Sequence, residues 1–187
     1  MIHFEKAGVQ HQNIIFEWLA MPHMQEFWDN SQAHKDDILN FMHGRTQTYF
    51  YGTTQYWVGS LDQEPFCFVL SDEILPSQVE SRPLHKKYLS SMGKTMTLDF
   101  GIGNLNFVGK GLAASSLKIF IDFYQSQIDP QADTFLIDPD ETNPRARHVY
   151  EKAGFKLVGE FLMQDGAFKE QKTQLMMMKA PYQISQK

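Results

Sequence analysis

The chain has 187 residues, 22 acidic against 17 basic side chains, and a formal charge of −5. At that length one hydrophobic core buries roughly 70% of the surface that the unfolded chain exposes, so neither disulfides nor a structural metal is required. An acidic chain without a basic stripe does not read as a nucleic-acid binder, and no run of about 18 apolar residues reads as a membrane span.

The amino terminus, Met1-Ile2-His3-Phe4-Glu5-Lys6, lacks the layout of a secretory signal, so a soluble, cytoplasmic protein is expected. No repeat or Gly/Ser/Pro-rich linker divides the chain, which predicts one domain over residues 1–180 and a loose polar tail over 181–187. Ile14, Ile15, Trp18 and Leu19 predict a helix from Asn13 that ends at Pro22, and a second helix is expected from Asp36 to His43, closed by Gly44. The stretches Gln47–Tyr51 and Gln55–Ser60 are aromatic-rich and extended in character, and Asp62-Gln63-Glu64-Pro65 turns into Phe66–Leu70, giving a β-meander. Cys67, the only cysteine, sits between Phe66 and Phe68 with no acid or base beside it and reads as core filler.

A long connection, Ser71–Gly93, comes next, and ordered loops of that length more often cover a site than not. Thr95–Phe100 alternates as a strand, Gly101, Gly103, Gly109 and Gly111 interrupt the chain, and Leu112–Tyr124 follows as an apolar-periodic helix. Phe135–Ile137 predicts a short buried strand, Asn143-Pro144 opens a helix to Lys152 before Gly154, and Phe155–Met163 and Thr173–Lys179 predict a closing hairpin around Asp165-Gly166. Strand, helix and strand in succession imply a parallel crossover within a mixed sheet, hence an α/β (α+β) fold with helices flanking a twisted sheet. The seven histidines are scattered without a His-x-x-x-His pair, so no metal is expected. Met176-Met177-Met178 reads as a terminal strand with methionines facing alternately inward and outward.

Glycines between a strand and a helix let the backbone approach a ligand closely, and the helix start offers unpaired N–H groups and a positive dipole end, a combination that suits phosphate; an ordinary tight turn needs glycine too. Two phosphate motifs are excluded by counting. After Gly101-Ile102-Gly103 the third glycine of a dinucleotide fingerprint is replaced by Asn106, and Gly103 is one residue too far from Gly109-Lys110 for a P-loop, whose magnesium-binding hydroxyl is replaced by Gly111.

What remains, Asn106-Phe107-Val108-Gly109-Lys110-Gly111-Leu112, resembles the pyrophosphate loop of the GNAT N-acyltransferase superfamily, with Asn106 where Gln or Arg is usual. Downstream, Asn143-Pro144-Arg145-Ala146-Arg147-His148-Val149-Tyr150-Glu151-Lys152-Ala153-Gly154-Phe155 is similar to that superfamily's Asn-x-x-Ala-x-x-x-Tyr-Glu-Lys-x-Gly-Phe segment. Glu17-Trp18-Leu19, Glu26-Phe27-Trp28, Asp99 and Asp138-Pro139 extend the resemblance toward aminoglycoside 6′-N-acetyltransferases and neighbouring siderophore-biosynthesis acetyltransferases.

The resemblance implies a GNAT-like fold using acetyl-CoA as cosubstrate, without metal, to acetylate a primary amine of a small cationic molecule such as an aminoglycoside, by direct transfer in a ternary complex. A siderophore-pathway amine or hydroxylamine is the alternative acceptor, and a CoA-binding sensor without turnover the alternative of another class. Backbone N–H groups of Val108, Gly109, Lys110, Gly111 and Leu112 would hold the pyrophosphate, with Phe107 beside the cofactor, and Gly101 and Ile102 would pair with the pantetheine arm. Asp99 is expected to accept the amine's proton, directly or through water, against the plainer reading of a carboxylate that caps a turn or pairs with a lysine. Tyr150 would protonate the departing thiolate, or is simply a core tyrosine; Asn143 is a helix cap and a cofactor neighbour. Trp28, Asp72 and Asp138 would contact a cationic acceptor, in a protein that is a monomer or homodimer.

Overall fold

The structure, a computed structural model, describes residues 1–181. Seven strands form a mixed sheet in the order β1-β2-β3-β4-β5-β7-β6. The chain divides into two compact units, one made of residues 1–72 and 99–116, the other of residues 73–98 and the chain from 117 onward.

In the first unit β1 (Ile2–Lys6) pairs antiparallel with β2 (Gln55–Leu61), which pairs antiparallel with β3 (Glu64–Glu73). Asp62 and Gln63, at φ of 50° and 72°, make the two-residue connection between β2 and β3, the left-handed pair that matches the twist of a tight hairpin. Helix α1 (Gln12–Ala20) places Ile15, Trp18 and Leu19 at a three-and-four spacing, which puts all three on one buried face. They pack with Ile38 of α3 (Gln32–Met42), Tyr56 and Val58 of β2, and Phe68 and Leu70 of β3. Met21 is extended because a proline follows it, and that Pro22 opens the short helix α2 (Pro22–Gln25) as well as ending α1. β2 and β3 approach so closely at Gly59 that a Cβ there would lie 2.4 Å from Cys67 Sγ. Cys67 itself is fully buried, and burial pushes its thiol far above the usual range, as expected of core filler.

In the second unit the first half of β4 (Lys94–Ile102) pairs parallel with β5 (Ala132–Ile137), from Thr95 against Thr134 to Leu98 against Ile137. The connection between them contains α5 (Leu112–Phe123), continued by a widened turn over Tyr124–Ile128, so the parallel crossover is present. β5 pairs antiparallel with β7 (Lys172–Lys179), and β7 with β6 (Lys156–Leu162), the expected hairpin. Leu136 and Leu175 from these strands pack with Ile74 and Val79, and Leu84 of α4 (Pro83–Lys87) closes on them. Helix α6 (Pro144–Ala153) starts at an Asn143 cap and stops at Gly154, whose φ of 107° is a left-handed turn that glycine adopts without strain.

Three expectations are corrected. Gln47–Tyr51 is not a strand but an irregular segment, because its backbone N–H groups go to a side-chain carboxylate. β1 is an additional strand, missed because Phe4 is its only buried residue. The connection proposed over Ser71–Gly93 is shorter, since β3 extends to Glu73 and α4 lies within the remainder. Of the expected tail over 181–187, only Pro181 falls within the described residues, where its carbonyl accepts from Gln125 Nε2 at 3.1 Å.

Candidate active site

The second half of β4 belongs to the first unit. Strand alternation buries Leu98 and Phe100 and turns Asp99 to the opposite face, where water reaches it. Protein nonetheless displaces enough of its solvation shell to push the carboxyl up to about 6 from an ordinary 3.8. A carboxylate that is reachable, poorly solvated and titrating near neutrality is suited to proton transfer.

Beyond Asp99 the strand is clamped from outside. A Cβ at Gly101 would lie 2.8 Å from Met24 Cε and 2.9 Å from Trp28 Nε1, and one at Gly103 would lie 2.2 Å from the Trp18 ring. His23 Nε2–H donates to the Ile102 carbonyl at 2.9 Å, so that nitrogen carries the proton. The N–H groups of Gly103 and Asn104 both donate to the Phe66 carbonyl, at 3.0 and 3.1 Å. α1 and α2 therefore fix the end of β4 through Trp18, His23 and Met24, none of which the sequence singled out as a site residue.

Asn104 starts the glycine loop. Its Oδ1 accepts from Asn106 N at 3.0 Å and its Nδ2 donates to Glu64 Oε1 at 3.2 Å, while the Phe107 ring lies 5.3 Å from that of Phe66. Gly109 and Gly111 then take φ of 77° and 73°, with nothing within 4 Å of an added Cβ at either, so these glycines answer a conformational need and not crowding. Gly109, Lys110 and Gly111 are exposed, Val108 and Leu112 half-buried. At the start of α5 the Ser115 and Ser116 hydroxyls both donate to the Leu112 carbonyl at 2.8 Å, and the N–H groups of a helix's first turn have no partner within the helix. The N–H groups of Phe107 and Val108 are not free for this, since they donate to the Asn104 and Leu105 carbonyls at 3.0 and 3.2 Å; the exposed loop from Gly109 onward, a positive helix end and the Lys110 ammonium fit a pyrophosphate.

On the same unit, Trp28 lies 5.3 Å from Phe68, ring to ring. Asp72 is buried, 5% exposed, and accepts from the Thr53 hydroxyl at 2.6 Å, which makes it a fixed member of the interior and not a solvated surface acid.

The remaining expected residues belong to the second unit. Asn143 Oδ1 accepts from Ala146 N at 3.0 Å, a helix cap as the residue type alone suggests. Tyr150 is buried on α6 with its ring 6.3 Å from Phe155, and Asp138 is half-buried just beyond β5. Among the described residues no group of three or more His, Cys, Asp or Glu side chains could hold a metal ion, and no helix is long and apolar enough to cross a membrane.

A family model described as an acetyltransferase (GNAT) domain matches residues 9–163, and the chain belongs to that family, making it an N-acetyltransferase. It is similar to aminoglycoside N(6′)-acetyltransferase type 1 of Klebsiella pneumoniae, 23% identical over 158 residues that span 82% of this chain and 73% of that one. Among solved structures, an aminoglycoside N(6′)-acetyltransferase of Legionella pneumophila superposes with a TM-score of 0.73 at 24% identity, covering 95% of this chain and 91% of that one. An aminoglycoside acetyltransferase in complex with coenzyme A and kanamycin gives 0.70 at 19% identity, over 96% and 95% of the two chains. These structural likenesses establish the shared α/β fold.

Proposed function

We propose that the protein transfers the acetyl group of acetyl-CoA to a primary amine of a small cationic acceptor such as an aminoglycoside, directly, in a ternary complex. The observation that carries this reading is Asp99: a solvent-reachable carboxyl titrating at about 6, on the strand that leads into an open glycine loop and a helix amino terminus. The names of the sequence relatives support the choice of acceptor.

The cosubstrate supplies the activated acetyl thioester. Backbone N–H groups of Gly109–Leu112, the start of α5 and Lys110 neutralise its phosphates. An amine reaches the chain as an ammonium ion, which has no lone pair for attack. Ionised Asp99 attracts that cation and accepts one proton, leaving a neutral amine whose lone pair forms the C–N bond as the C–S bond breaks. The thiolate leaves with the electron pair of that bond and takes a proton, which the family resemblance assigns to the Tyr150 hydroxyl; the acylated nitrogen sheds its second proton to solvent, and solvent returns one to the phenolate. Trp28 offers a ring face to the cation, and Asp72 and Asp138 add negative potential.

The test is acetyl-CoA consumption against a panel of aminoglycosides, hydroxylated diamines and polyamines, with coenzyme A binding measured in parallel. Acetylation of a ring-borne primary amine is expected. Coenzyme A binding with every amine left unmodified would overturn the catalytic reading in favour of a sensor.

A further inference from the structure

Residues 44–54 connect α3 to β2 without regular structure, and hydrogen bonds to three carboxylates tie them down. Asp37, 1% exposed, accepts at Oδ1 from the backbone N–H groups of Thr48 and Tyr49, at 3.2 and 3.0 Å, and at Oδ2 from Gln47 Nε2 and the Tyr56 hydroxyl, at 2.8 and 2.9 Å. Asp29 accepts from the Tyr49 hydroxyl and, at 2.8 Å each, from Ser31 N and Oγ. Asp72 accepts from Thr53. His34 is buried against the segment; its Nδ1–H donates to the Asp29 carbonyl at 2.7 Å, and its ring lies 5.6 Å from both Tyr49 and Phe50.

The consequence of this bracing is that Phe50 sits at φ of 47°, a left-handed conformation that a bulky residue keeps only when its surroundings impose it. Phe50 and Tyr51 are 50% and 40% exposed. Two aromatic rings held in water on a preorganised backbone form a ready binding face, because the cost of ordering them has already been met in folding. Inside the protein a row of rings links Phe50 to the end of β4: Trp28, which fills the space beside Gly101, then the buried Phe68, Tyr56 and His34, and Phe50, each 5.3 to 5.8 Å from the next. The three carboxylates that meet it, Asp29, Asp37 and Asp72, are occupied by hydrogen bonds to the segment and its neighbours, so ring faces and not charges are what it presents.

We propose that Gln47–Thr53 is a specificity element for the acceptor, in which Phe50 and Tyr51 pack on the body of the molecule remote from the acetylated amine. The segment thereby favours amines borne on rings, whose C–H faces and ammonium groups lie flat on aromatic faces, over slender linear polyamines. This rests on the acetyl-transfer reading above.

Steady-state kinetics with acetyl-CoA and either kanamycin or spermidine test it in the full chain. Phe50→Ala and Tyr51→Ala are each expected to raise KM for kanamycin about threefold to tenfold, the range that one aromatic contact supports, with kcat and the KM for acetyl-CoA within about twofold. The effect should persist in about 0.5 M salt, since ring faces are little screened, should be smaller for spermidine, and should be reversed in Phe50→Tyr. An unaltered kanamycin KM, equal losses with spermidine, or a parallel rise in the acetyl-CoA KM would each overturn the proposal. If the native chain acetylates neither amine, the choice of an aminoglycoside acceptor fails on that result alone. Calorimetric titration of kanamycin into the coenzyme A-loaded chain then decides the fate of the specificity element: weaker binding in the two alanine variants upholds it, and equal or absent binding overturns it.

Discussion

A carboxyl that titrates at about 6 gives catalysis a pH dependence that an ordinary aspartate would not. If Asp99 must be ionised to accept the ammonium proton, the competent fraction is about 90% at pH 7 and about 9% at pH 5, so kcat/KM for the acceptor falls about tenfold between them. At the usual 3.8 the same change would cost less than about 10% of the rate. A primary amine acceptor stays protonated throughout this interval and adds no limb of its own. Initial rates at subsaturating acceptor and saturating acetyl-CoA, measured from pH 4.5 to 7.5, read the limb directly. Asp99→Asn should lower the rate by at least about a hundredfold and remove the limb, while the KM for acetyl-CoA stays put. Linkage gives the matching stability signature. A carboxyl raised in the folded state favours folding fully below about 3.8 and loses that contribution as pH rises through about 6. Asp99→Asn should therefore melt no lower than the native chain at pH 7, so the activity lost is not unfolding. A limb below pH 4.5, or a profile unchanged in Asp99→Asn, would refute the assignment of the base.

Two further outcomes are expected. Gly111→Ala, at a φ of 73° with open space around an added Cβ, suffers conformational strain of about 1 to 2 kcal/mol and no clash. Its acetyl-CoA KM should rise about fivefold to thirtyfold, Gly111→Asn should be milder because Asn tolerates the left-handed region, and equal KM values for all three would mean the loop does not hold the phosphates. Asp37→Ala strands the buried Tyr56 hydroxyl and removes the acceptor of two part-buried backbone N–H groups, which should cost about 2 to 4 kcal/mol in urea unfolding; a loss under about 1 kcal/mol would show that the segment is not braced there.

Local signals made much of the fold legible. Asn143, Pro144 and Gly154 announce α6 because caps act within one turn, and alternation over Thr95–Phe100 announces β4 because side chains of a strand have a period of two. Gly109 and Gly111 were readable as a special turn for the same local reason. Where partners are distant in sequence, the residues misled. The aromatic content of Gln47–Tyr51 mimics strand propensity, but the hydrogen bonds that a strand would send to a neighbour go to Asp37, eleven and twelve residues earlier. Trp18 beside Gly103 and His23 on Ile102 were equally unreadable as parts of the site, since nothing in their spacing says that α1 and α2 grip the end of a strand some 80 residues on. Pro22 gave a signal with two meanings, a stop for α1 and a start for α2, and both apply.

The burial of Cys67 bears on how the chemistry can be watched. Acetyl transfer from the thioester releases one free thiol per turnover, and the chain's sole cysteine is sealed between two strands with its thiolate form strongly disfavoured. A thiol-specific chromogen added to the folded enzyme would therefore develop colour from released coenzyme A against an almost silent protein background. A single cysteine introduced at the rim of the Gln47–Thr53 segment would be the only labelling site, with no native residue to remove first.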